Sequence, residues 1–316
     1  MPRGSVTAEA SIAPRTLIVA NLGLVTMIFF WGSFFPVMEQ ILKGWDPLSA
    51  TAGRHLTAAA ALTAVALAAE RRLPFRRDLP WMKLFLLGSV GFVLSSICMS
   101  LSVLWSSGVA AAIVSATNPI SAAITARLLF GMSLGRGILF GAALAVAGSG
   151  IAILGAGTAF GEFDGFRGGE LLVIVANVAW TWFSLAAQRW LRGASQLDIS
   201  LLTTVPGALC MTLVTVAAGG VGLVELRIDL APEYLLPVLY TGTVPIAIGN
   251  FLWHFGVSRI GIAVSSMYTN LIPVTAALVA FVWIGTQPTL YQLVGGAIII
   301  AGVFYAQVTA LRSERR

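Results

Sequence analysis

The sequence predicts an all-α integral membrane protein whose ten transmembrane helices form two inverted five-helix repeats. Three observations predict it. Of 316 residues, 58% are hydrophobic and only 10% charged, against roughly 25% charged in a soluble domain. The apolar residues fall in ten continuous runs, each near the roughly 20 residues that cross a hydrocarbon core, and they do not alternate as barrel strands do. The fourth and ninth runs, "SATNPISAAITARLLFG" and "YTNLIPVTAALVAFVWIG", resemble each other, with Pro119 falling on Pro273 at a shift of 154.

The spans read in order as 17 to 38, 48 to 69, 81 to 104, 108 to 130 and 136 to 155, then 169 to 190, 199 to 219, 234 to 256, 259 to 284 and 289 to 311. The first follows Arg3 and Arg15 but is too long for a signal peptide and ends in WGSFFPVMEQ without a small-residue cleavage site, so it is read as retained. The second carries Arg54 and His55 one to two turns from its outer end. Ionisable groups inside a span are functional by default, although Arg54 has the alternative of snorkelling and the histidines of satisfied packing. The third bears a weak stripe of Ser89, Ser96 and Ser100. Cys98 and Cys210, in the third and seventh spans, read as small packing residues without a disulfide framework or metal-ligand spacing.

The fourth span places Asn118 beside Pro119, with Ser115 one turn earlier. A proline within a helix frees the carbonyl four residues before it. Helix kinks are therefore expected at Pro119 and Pro273, facing one polar cavity. Gly137, Gly141 and Gly148 in the fifth span and Gly295 and Gly302 in the tenth form small-residue faces for close helix packing. The sixth span aligns Asn177, Thr181, Ser184 and Gln188 on one face, and the eighth aligns Thr243, Asn250 and His254. Such faces belong inside the bundle, either as interhelical hydrogen bonds or as a pathway.

The shift of 154 also superposes Gly88 on Gly242, Gly131 on Gly285, Gly141 on Gly295 and Gly148 on Gly302, while Trp31 and Phe34 align with Trp180 and Phe183 at 149. Five spans is an odd number, so the second copy enters the membrane from the opposite side. The domains follow: a cytoplasmic tail at 1 to 16, repeats at 17 to 155 and 169 to 311, an external linker at 156 to 168, and a tail at 312 to 316. Inverted repeats serve alternating access, with a solute site near the midplane.

Arg71, Arg72, Arg76, Arg77, Lys83, Arg136, Arg189, Arg192, Arg259 and the C-terminal arginines lie on one side, with Lys43, Arg167 and Arg227 on the other. The positive-inside bias then puts both termini in the cytoplasm, and explains the pI near 9.9 without nucleic acid.

The expected solute-binding residues are Trp31, Ser115, Asn118, Asn177, Trp180, Asn250, Trp253, His254, Tyr268 and Asn270. Amides offer both donors and acceptors, and the deep aromatics offer an apolar wall. Trp45, Trp81, Trp105, Trp190 and Trp283 lie near span ends and read as interfacial anchors. Scarce central charge favours a zwitterionic or neutral small molecule over a phosphorylated one. No cofactor, metal or nucleic-acid partner is expected, and a monomer is preferred. There is no P-loop, and no carboxylate lies near the middle of a span to serve a proton relay.

With "WGSFF" in the first span, "ATNPISAAITARLLFG" in the fourth, "TNLIPVTAALVAFVWIG" in the ninth and glycine-rich fifth and tenth spans, the chain resembles the drug/metabolite transporter superfamily and its EamA-type branch. The resemblance covers nearly the whole chain and is strongest to bacterial exporters of amino acids, in particular aromatic ones. It implies a secondary transporter in the cytoplasmic (inner) membrane. One departure is that Gly131 leads into Met132 and Ser133, without the acidic residue common in the family.

Other readings are a channel-like facilitator, an exporter of other metabolites or drugs, and a membrane serine hydrolase. The last rests on "GMSLG", with Ser133 as nucleophile, but that motif needs a strand-to-helix elbow and here falls between two helices. Gly131 reads more simply as a helix C-terminal glycine.

Overall fold

A computed structural model of the chain describes residues 14–76, 78–105, 114–115, 117–132, 135–154, 168–272, 274–275, 278 and 289–314. Among these, six helices are long and apolar enough to cross a membrane, and two more apolar helices, Arg136–Ala152 and Leu293–Thr309, are shorter. The expected fourth and ninth spans lie partly outside the described residues, as do Pro273, Trp283, Gly285 and Ser133.

In chain order the helices are α1 (Pro14–Gly44), α2 (Pro47–Ala69) and α3 (Trp81–Leu86), the last running through a π-helical segment (Leu87–Leu94) into α4 (Ser95–Trp105). Next come α5 (Asn118–Phe130), α6 (Arg136–Leu154), α7 (Glu170–Trp190) and α8 (Gln196–Gly220). In the last part α9 (Pro232–Thr241) runs through a second π-helical segment (Gly242–Ile248) into α10 (Gly249–Ile260). Then come α11 (Ile262–Tyr268), a 3₁₀ turn (Thr269–Leu271) and α12 (Leu290–Glu314).

The outer surface shows the solvent for which the chain is built. On α8, Leu209, Leu213 and Val216 are exposed while Ser200, Thr203, Thr204 and Thr215 are buried. Large apolar side chains point out and small polar ones point in, the reverse of a water-soluble helix. Three of these hydroxyls bond back one turn, Ser200 to Gln196 O, Thr203 to Ile199 O and Thr215 to Met211 O, while Thr204 Oγ1 has no partner among the described residues.

Corresponding helices of the two halves pack antiparallel. Along α6 and α12, a Cβ added at Gly141 would lie 2.6 Å from the Gly302 carbonyl oxygen, and one at Gly148 would lie 2.6 Å from that of Gly295. Rising numbers on one helix meet falling numbers on the other, and each glycine meets the repeat partner of the other. The small-residue faces thus close against each other within the chain. Helices α2 and α8 also run antiparallel: Arg72, past the end of α2, bonds Asp198 at the start of α8, and Asp46, at the start of α2, bonds Arg227 beyond the end of α8.

The halves interleave rather than sit side by side. α1 packs on α10 and α11, while α7 packs on α4 and α5; the first π-helical segment packs on α8 and the second on α2. The glycines permit this: a Cβ at Gly88 would lie 2.8 Å from Gly207 N, and one at Gly242 would lie 2.5 Å from Arg54 O.

Around Pro119, residues 114–115 are helical, Thr117 forms a turn with its N–H donating to Val114 O, and α5 starts at Asn118 with proline in its first turn. There the missing N–H costs nothing, because first-turn N–H groups have no intrahelical partner. Trp45 is no interfacial anchor: it is buried and donates its Nε1–H to Asp229 O at 2.7 Å. The reading of Gly131 holds, since it closes α5 at φ +66° with its N–H on Arg127 O.

Asp46 holds the loops around Trp45 together. Its Oδ1 accepts from Leu48 N and Ser49 N, both at 3.0 Å, and caps α2, while its Oδ2 accepts from Arg227 N at 2.9 Å. The Arg227 guanidinium in turn donates to Leu42 O at 2.8 Å. Asp46→Ala is expected to lower stability by about 2 kcal/mol, roughly half from the cap and half from the charge-assisted bond to Arg227. Thermal unfolding of the purified protein in detergent checks this, with Asp46→Asn expected between the two. At the other end of α2, Arg72 bonds Asp198 at 3.1 Å and Glu70 at 2.7 Å, and the hydrogen bond to Asp198 is the main cause of its raised pKa.

Candidate functional site

Where the halves interleave they form a cavity of about 220 Å³. α1 contributes Trp31 and Phe34, α2 contributes Arg54 and His55, and the first π-helical segment with α4 contributes Phe92, Ser95, Ser96, Met99 and Ser100. Ser115 and Asn118 reach it from the break before α5, Ser149 from α6, and Ala176, Asn177 and Trp180 from α7. The second π-helical segment and α10 add Pro245, Ile246 and Asn250, and the 3₁₀ turn region adds Thr269 and Ile272.

Both π-helical segments line this cavity, and they occupy the same repeat position: at a shift of 154, Phe92 falls on Ile246 as Gly88 falls on Gly242. Widened helical turns of this kind recur at functional sites because they re-aim side chains and loosen carbonyls. Pro245 O accepts the indole N–H of Trp31 at 3.1 Å. Gly249 admits the same ring, since a Cβ there would lie 2.7 Å from Trp31 Nε1.

One wall is aromatic. Trp31 and Trp180, repeat partners, meet edge to face with centroids 5.7 Å apart. Trp253 lies behind them at 5.6 and 6.3 Å, and Phe92 flanks Trp180 at 6.1 Å. Each such pair is worth about 0.5–1.5 kcal/mol beyond its buried area.

The opposite character is polar and unsatisfied. Asn118 donates its amide to Thr269 Oγ1 at 3.0 Å, linking the halves, yet its Oδ1 has no partner among the described residues. Ser115 Oγ, Ser149 Oγ, Asn177 Nδ2, Trp180 Nε1 and Arg54 Nε are likewise buried without one. Leaving a buried polar atom unmade costs about 1–3 kcal/mol, so six around one cavity represent a large latent capacity for hydrogen bonding.

Of the residues expected from sequence, Trp31, Ser115, Asn118, Asn177, Trp180 and Asn250 line the cavity. Trp253, His254, Tyr268 and Asn270 do not. Trp253 donates to Ser184 Oγ at 2.8 Å and backs the tryptophan wall. His254 is one turn farther along α10, against Phe183 at 5.4 Å, and neither ring nitrogen has a partner among the described residues. Tyr268 donates to Asn21 Oδ1 at 2.6 Å and accepts from Gln307 Nε2 at 2.9 Å, joining three helices. Asn270 is fully buried, and neither amide atom has a partner among the described residues.

Sequence reading missed Phe92, Met99, Ser149, Pro245 and Ile246, and left Arg54 and His55 outside the site. The alignment of Gly88 with Gly242 was the available signal for the π-helical pair. His55 is held by Thr51 O at 2.7 Å on Nδ1 and Ser96 Oγ at 3.3 Å on Nε2, so both ring nitrogens are spent.

Known proteins resemble the chain along nearly its full length. It is 26% identical over 279 residues to the uncharacterized transporter YdfC of Bacillus subtilis (strain 168), covering 88% of each chain. It is also 26% identical to a probable terminal-alkyne amino-acid exporter of Streptantibioticus cattleyicolor, covering 92% of this chain and 94% of the other. A solved crystal structure shares the fold, with a TM-score of 0.75 at 21% identity over 93% of this chain and 98% of its own. Both named relatives are transporters, and the protein is a multi-pass membrane transporter of a small molecule rather than an enzyme, so the hydrolase reading of Ser133 falls. The model of the EamA-like transporter family matches residues 18–154 and again 167–306, and the chain belongs to that family.

Proposed function

We propose that this protein is a secondary transporter that exports a small amphipathic metabolite, an amino acid with an aromatic or aliphatic side chain, by alternating access. Ten spans form two inverted repeats of five in the bacterial inner membrane, with both termini cytoplasmic. Trp31, Trp180 and Phe92 receive the apolar part of the solute, while Ser115, Asn118, Asn177 and Asn250 meet its polar end. The carrying observation is the cavity itself, which joins a tryptophan wall to six buried polar atoms without partners among the described residues. The name of the Streptantibioticus relative supports an amino acid. No carboxylate is among the described residues lining the cavity, and transport is read as uncoupled from protons, driven by the solute's own gradient or by exchange.

Counterflow in proteoliposomes tests this. Labelled aromatic and aliphatic amino acids are expected to show saturable counterflow that ignores a pH gradient, and Asn177→Leu is expected to raise KM by about tenfold through one lost hydrogen bond. Flux without saturation would mean a channel. No flux of any amino acid would remove the substrate class and turn the search to other metabolites and cationic drugs.

A further inference from the structure

We infer that Arg54 anchors a carboxylate of the transported solute, so that the cavity takes small monocarboxylates with an apolar body. The inference rests on the transport reading above and narrows its substrate.

Arg54 is only 6% exposed, which excludes snorkelling to the surface. It lines the cavity, and no carboxylate is among the described lining residues. Its guanidinium carbon lies 4.4 Å from the centre of the Phe34 ring, its Nη1 donates to Met38 Sδ at 3.8 Å, and its Nε has no partner among the described residues. A ring face and a thioether stabilise a buried cation only in part, and among the described residues they leave the planar donor fork, the feature that distinguishes arginine from lysine, without an oxygen acceptor. A chain that keeps a lone guanidinium in a low-dielectric pocket leaves the matching negative charge to something else. Here the pocket is the one built to admit a solute.

The spacing sets the size of that solute. Trp31, Phe34 and Met38 follow one face of α1: Trp31 meets the tryptophan cluster, whereas Phe34 and Met38 meet Arg54. At about 1.5 Å rise per residue, the guanidinium sits roughly 5–10 Å along the helix from that cluster. A ring carrying a carboxylate on a short aliphatic tether spans this distance, with the carboxylate taken by the fork and the ring laid on Trp31 and Trp180.

An amino acid also brings an ammonium, for which the lining offers only neutral acceptors and ring faces. An amino acid and a simple carboxylate therefore share the anchor, and three probes separate the sources: L-phenylalanine, 3-phenylpropanoate and L-phenylalaninamide. Quenching of intrinsic tryptophan fluorescence reports binding in detergent, and counterflow reports transport. Both carboxylates are expected to bind at least about 30-fold more tightly than the amide. Arg54→Gln is expected to bring both down to the level of the amide, and Arg54→Lys to recover part of the loss because charge survives without the fork. The tighter of the two carboxylates identifies the source.

Equal binding of acid and amide by the unaltered protein overturns the anchor while leaving the transport reading standing. So does an equal loss for all three probes in a folded Arg54→Gln. If that variant does not fold, the acid-to-amide ratio of the unaltered protein and of Arg54→Lys decides. Silence of all three probes in both assays overturns the anchor and the amino-acid substrate class together.

Discussion

Gly148→Leu is expected to yield almost no monodisperse protein in detergent, while Gly150→Leu, two residues along the same helix, purifies normally. At Gly148 a Cβ meets the Gly295 carbonyl oxygen at 2.6 Å, Ile299 Cγ1 at 2.9 Å and Ile299 N at 3.0 Å. Two of these three atoms are backbone, which no rotamer change can move aside. At Gly150 nothing lies within 4 Å. Overpacking a tight interior costs about 1–3 kcal/mol when side chains yield, and here a helix must shift, so more than about 3 kcal/mol is expected. Size-exclusion profiles and thermal midpoints check the pair. Equal behaviour of the two variants would show that α6 and α12 do not approach this closely.

Trp180→Ala is expected to weaken solute binding severely without unfolding the bundle. The ring contacts Trp31, Trp253, Phe92 and Phe183, with centroids 5.7, 6.3, 6.1 and 5.1 Å away. Its removal enlarges the cavity, frees Trp31 on one side and deletes the unpartnered Nε1 donor. Truncating a large aromatic costs roughly 3–5 kcal/mol in a packed core. Because this ring borders a cavity, most of that loss is expected to fall on the solute, as a KM raised by about a hundredfold. Trp180→Phe keeps the wall but not the donor, so it is expected to lose about tenfold. Counterflow kinetics separate these outcomes, and an unchanged KM in Trp180→Ala would remove the tryptophan wall from the solute site.

The parts of this architecture legible in sequence are those the duplication writes twice. Trp31 and Trp180 align and meet at the cavity; Gly141, Gly148, Gly295 and Gly302 align and close on one another. What sequence missed depends on contacts between the halves. Trp45 looks interfacial by its position near a span end, and only the Asp229 carbonyl brought up by a distant loop makes it a buried residue. The stripe of Asn250 and His254 correctly names an inward face of α10, but one turn suffices to move from the cavity to the contact with Phe183. Pro119 is visible in a continuous apolar run, whereas the turn at Thr117 just before it has no compositional mark of its own. The π-helical segments are harder still: one contains Pro245, while its partner Leu87–Leu94 contains no proline at all.

The interleaving of helices also bears on how the chain is made. The glycine face of α6 leaves the ribosome early, yet the surface it closes against belongs to α12, the last described helix. α1 likewise waits for α10 and α11. Neither half therefore completes its packing while the other is unmade, and the early helices must pass through synthesis with small-residue faces turned to lipid. Quality control that reads such uncovered faces would detect a truncated product, because the final helix is the piece that hides them.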